Sequence, residues 1–77
     1  MGKKLSTFYK DESKSFCEIH VDLKEEMFYI KYFDDKGNRF CVEDFPGRSL
    51  RYVEDAAENW TLGIKVIEEG QIQYGLL

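Results

Sequence analysis

Residues 49–70 carry two neighbouring rows of apolar side chains at helical spacing, more than one face of a small sheet can cover. Leu50, Val53, Ala57, Trp60, Ile64 and Ile67 recur at intervals of three and four, the seam of an amphipathic helix. A second row, Tyr52, Ala56, Asn59, Gly63 and Val66, runs beside it. At roughly 100° per residue the two rows together span about half the helix circumference. The opposite face holds Arg51, Glu54, Asp55, Glu58, Thr61, Lys65 and Glu69, with Leu62 as its apolar exception. A sheet covers one side of a helix, so the second row predicts a partner.

The periodicity predicts a continuous helix over 49–69, with Ser49 as N-cap and Gly70 as the terminating glycine. Gly63 costs about 1 kcal/mol relative to Ala inside a helix. Its place one heptad from Ala56 points to close approach of another backbone. The competing reading stops the helix at Gly63 and makes 64–67 a strand.

Upstream, the pattern has period two. In 16–23, Cys17, Ile19, Val21 and Leu23 alternate with Phe16, Glu18, His20 and Asp22. The run 27–33 is aromatic on both sides, which suits a central strand covered on both faces. Asp34-Asp35-Lys36-Gly37-Asn38 reads as a type I turn with a glycine bulge. A third strand follows over 39–45 and ends at Pro46-Gly47. Residues 1–14 read as a partly ordered polar arm that Phe8 and Tyr9 pin to the sheet. Residues 71–75 alternate weakly, as a short edge strand or one pairing with a neighbouring subunit. The expected fold is α+β, a single β-β-β-α domain over 15–77.

Size sharpens the case for self-association. Seventy-seven residues lie near the lower limit for a self-sufficient core. Six Phe, five Tyr and one Trp compensate, since each ring buries on the order of 150–250 Å². A net charge of −4, from 15 acidic and 11 basic residues, argues against direct nucleic-acid binding. No apolar run approaches a membrane span, and Lys3 and Lys4 precede no hydrophobic signal segment. A cytoplasmic protein is expected, with Cys17 and Cys41 as free thiols rather than a disulfide.

Chemistry-bearing constellations are sparse. Glu18, His20 and Asp22 share one strand face, but a solvated face or a charge pair with Lys31 explains them without a metal. The two cysteines lack metal or redox spacing, and one histidine far from Ser49 makes a triad a poor fit. No phosphate-binding glycine loop occurs. The expectation is no catalytic residue, metal or cofactor.

Two resemblances bear on function. Three strands, then Phe45-Pro46-Gly47, then a helix with Glu54, Ala56, Ala57, Glu58 and Trp60 looks like the N-terminal module of HicB-type antitoxins. The likeness covers about 16–67 and implies an antitoxin-like binding protein. The glycine-aspartate-threonine element before the helix is missing, however, the link from Pro46 to the helix is shorter, and no C-terminal DNA-binding segment is expected. The run Ser49-Leu50-Arg51-Tyr52-Val53-Glu54-Asp55-Ala56-Ala57-Glu58-Asn59-Trp60, after Phe45-Pro46, resembles small accessory proteins of marine T4-like cyanophages over most of the chain. That resemblance implies a viral protein acting in the host cytoplasm and carries over no active-site residues.

The sequence therefore predicts a non-enzymatic homodimer that binds another protein, and the cyanophage resemblance implies a phage-encoded modulator of a host protein. Its interface would be Tyr52, Ala56, Asn59, Trp60, Gly63, Val66 and Ile67, and its acidic docking face Glu54, Asp55, Glu58 and Glu69. The alternative is an acidic nucleic-acid mimic that blocks a DNA-binding protein.

Overall fold

The computed structural model describes residues 2–10, 13–68 and 71–74. The fold is α+β. Strands β1 (Gly2–Tyr9), β2 (Phe16–Asp22), β3 (Met27–Phe33) and β4 (Arg39–Phe45) form an antiparallel meander in the order β1-β2-β3-β4. Helix α1 (Leu50–Thr61) crosses one face of this sheet, and β5 (Lys65–Glu68) and β6 (Gln71–Tyr74) pair as a separate antiparallel ribbon.

The three expected strands occur, and a fourth precedes them. Residues expected as a polar arm form β1, which pairs along the whole of β2 and sends Phe8 against the core. Its periodicity is hidden because residues 2–5 are exposed and a bulge at Leu5 breaks the alternation. The turns match their composition. Asp34 accepts from the Lys36 and Asn38 amides, and Gly37 takes φ +83°, as a hairpin with a glycine bulge requires. The amide bonds from Asn38 and Lys36 hold the Asp34 carboxyl below its usual range.

The helix is shorter than predicted. Ser49 caps it, its Oγ accepting from the Tyr52 amide at 3.2 Å. It ends at Thr61, where Gly63 adopts φ +81°. The Gly63 amide donates to the Trp60 carbonyl and the Ile64 amide to the Asn59 carbonyl. These two bonds are the Schellman closure. A continuous helix over 49–69 is thus corrected: Gly63 is a terminator, and 64–67 leave the helix. The competing strand reading holds for β5. The proposed terminator Gly70 lies outside the described residues.

Pairing partners share a face, so the register defines the core. Three rows run across the helix-facing side: Phe8–Cys17–Tyr32–Cys41, then Ser6–Ile19–Ile30–Glu43, then Lys3–Val21–Phe28–Phe45. Cys17, Ile19, Ile30 and Tyr32 are fully buried there beneath Val53, Ala56, Ala57 and Trp60. The edge of the Tyr32 ring meets Trp60 at a centroid distance of 5.2 Å.

Candidate functional site

Three places bring chemistry-bearing side chains together, and they differ in access. The first is buried. Tyr32 Oη donates to Glu43 Oε1 at 2.8 Å, and Lys65 Nζ donates to the same oxygen. Lys65 is fully buried and lies over the Phe45 ring. Burial raises the Tyr32 pKa, and the charge and hydrogen bond of Glu43 raise it further. Burial likewise pushes the Cys17 thiol up to about 12, against an opposing pull from Lys65. Cys41 is raised by burial and then by Glu43. A phenol and a thiol held in their neutral forms are poor nucleophiles. This cluster satisfies polar groups inside the core. Sequence periodicity put Lys65 on the polar helix face; in β5 it alternates inward with Ile67, while Val66 points out.

The second place is the sheet face opposite the helix. The register sets out rows here as well: Tyr9–Phe16–Phe33–Arg39, Thr7–Glu18–Lys31–Val42, and Lys4–His20–Tyr29–Asp44. Phe16 and Phe33 stack at 4.7 Å, and Tyr9 leans on Phe16 at 5.8 Å. His20 Nε2 donates to Glu18 Oε1 at 2.9 Å, and its ring stacks on Tyr29 at 5.1 Å. Glu18 also pairs with Lys4 at 3.8 Å. His20 is therefore mostly buried rather than solvated. Asp22 does not join it, because its carboxylate accepts from the Lys24 and Glu25 amides in the next turn. Among the described residues no group of three His, Cys, Asp or Glu converges as a metal site.

The third place is the exposed side of α1. Glu54, Asp55 and Glu58 are exposed, as expected, and Arg51 lies among them. Glu69 lies outside the described residues. A shallow depression of about 160 Å³ is lined by Tyr52, Asp55, Ala56 and Asn59. Phe45 meets the Tyr52 ring edge-on, and the Arg48 guanidinium sits 4.7 Å from its centroid. The predicted interface row therefore splits. Tyr52, Asn59, Gly63 and Val66 keep surface, whereas Ala56, Trp60 and Ile67 are buried within the chain. Trp60 and Ile67 cannot also line an interface: helix closure at Gly63 turns Ile67 onto a strand, and Tyr32 and Lys10 take up the Trp60 ring.

Among the described residues no helix is long and apolar enough to cross a membrane. No protein family, curated protein or solved structure matches the chain.

Proposed function

We propose that this protein is a non-catalytic binding module, working as a homodimer, that docks a basic protein on the outer side of α1. The observation that carries the reading is the depression between Tyr52, Asp55, Ala56 and Asn59, on a helix whose exposed side also carries the carboxylates of Glu54 and Glu58. An aromatic wall, a carboxylate, an amide and a small-residue floor suit the stem and charged head of a lysine or arginine. The surrounding negative charge favours encounter with a positive surface. The buried Tyr32–Glu43–Lys65 cluster adds support for a non-catalytic role, since substrate has no access to it. The resemblance to cyanophage accessory proteins supplies the setting, a viral modulator of a host protein. A nucleic-acid mimic draws less support, because Arg51 interrupts the carboxylates that would stand in for phosphates.

The test is affinity capture from host lysate across a salt series, with wild type and a Glu54→Lys, Asp55→Lys, Glu58→Lys variant. Wild type is expected to retain a basic protein that rising salt releases and the variant does not bind. Identical sets of retained proteins on both baits would sink the proposal.

A further inference from the structure

The face of the sheet away from α1 has no described element packed over it, yet it carries a stacked aromatic ridge and charges of both signs. We infer that a second copy of the chain covers it, with a two-fold axis running parallel to the strands between β2 and β3. The inference rests on the homodimer reading above and names the surface that makes the dimer.

The argument is the order of residues within each row. Such an axis lays every row against itself in reverse, as an isologous interface requires. Lys4 at one edge then meets Asp44 of the second copy at the other edge, and Glu18 meets Lys31. The aromatic row behaves the same way: Phe16 faces Phe33, and Tyr9 faces the Arg39 guanidinium. Each match occurs twice. A face whose charge order inverts onto itself is complementary to its own copy, whereas a basic or acidic partner would meet repulsion in half of it.

Alternative ways of pairing through the sheet are hindered. Both outer strands carry irregularities, at Leu5 in β1 and between Arg39 and Cys41 in β4, and these interrupt the regular ladder that edge-to-edge addition needs. Size is compatible as well. Four strands of about seven residues give a face of roughly 19 by 23 Å. Face-to-face packing of two twisted sheets near −30° keeps the central rows opposed.

Lys4 and Asp44 make the decisive test. They sit on the two outer strands, about 14 Å apart within one chain at the ordinary strand spacing, so they can meet only between copies. Solution mass by light scattering over micromolar concentrations would be measured for wild type, Lys4→Asp, Asp44→Lys and the double exchange. Both positions are exposed, and burial of Trp60 gives a fluorescence check that each variant is folded. Wild type is expected at twice the chain mass. Each single variant should raise the dimer dissociation constant about tenfold, and the double exchange should restore it. A wild-type monomer would overturn the homodimer reading itself. A wild-type dimer indifferent to the single variants, or not restored by the double exchange, would overturn only this surface.

Discussion

At the scale of single residues, the core depends on one carboxylate. Glu43 accepts from both the Tyr32 hydroxyl and the Lys65 ammonium, in a place where the lysine is fully buried. Removing one member of a buried charged network costs more than the network contributes over an apolar core, because the remaining groups keep their desolvation cost. Glu43→Ala should therefore lose about 2–3 kcal/mol in urea unfolding, and Glu43→Gln less, since the amide oxygen still accepts. A loss within about 0.5 kcal/mol, the scale of an ordinary surface substitution, would show that the cluster is not coupled to stability. Nothing in residues 64–69 taken alone distinguishes this lysine from one on a solvated helix. Its burial follows from the position of the helix end.

At the scale of elements, Gly63 determines the course of the chain after α1. Left-handed backbone at φ +81° allows the two closing bonds to Trp60 and Asn59, and no other atom crowds the space a Cβ would occupy. Substitution is thus a question of backbone conformation rather than of packing. Gly63→Ala should cost about 1–2 kcal/mol by chemical denaturation, with little change in native circular dichroism. A stabilised Gly63→Ala protein with increased helical signal would instead favour the continuous helix that the periodicity predicts. The sequence was ambiguous here for a physical reason. Ile64 and Ile67 fit a helical seam, while Lys65 and Ile67 also fit a strand with one face buried, and four residues are too few for the two periods to separate.

For the molecule as a whole, sheet order decides what the two thiols can do. Cys17 and Cys41 both pair with Tyr32, one from each side, so β3 lies between them. Two strand spacings separate their backbones by about 10 Å, beyond the reach of a disulfide. Both are free, with Cys17 fully buried and Cys41 partly exposed. Alkylation at pH 8 should label Cys41 first and leave Cys17 protected until the chain unfolds, and mild oxidation should form no bridge within the monomer. Mass spectrometry after timed labelling checks both outcomes; equal rates for the two thiols would contradict this core.

The amino-acid sequence by itself determined the α+β class, the strands β2, β3 and β4, the turn at Gly37, the Ser49 cap and the inward seam of Val53, Ala57 and Trp60. These rest on local chemistry: alternation, turn stereochemistry and hydrogen bonds between near neighbours. Tertiary structure decided what depends on partners distant in sequence. Strand β1 is a strand because β2 offers it a ladder, despite its own polar composition. His20 is sheltered because Tyr29 on the next strand stacks on it. Lys65 is buried because Glu43, 22 residues earlier, accepts its charge. The open sheet face took shape only when four registers aligned their rows, since the charge order of Lys4, Glu18, Lys31 and Asp44 exists across strands and not along the chain.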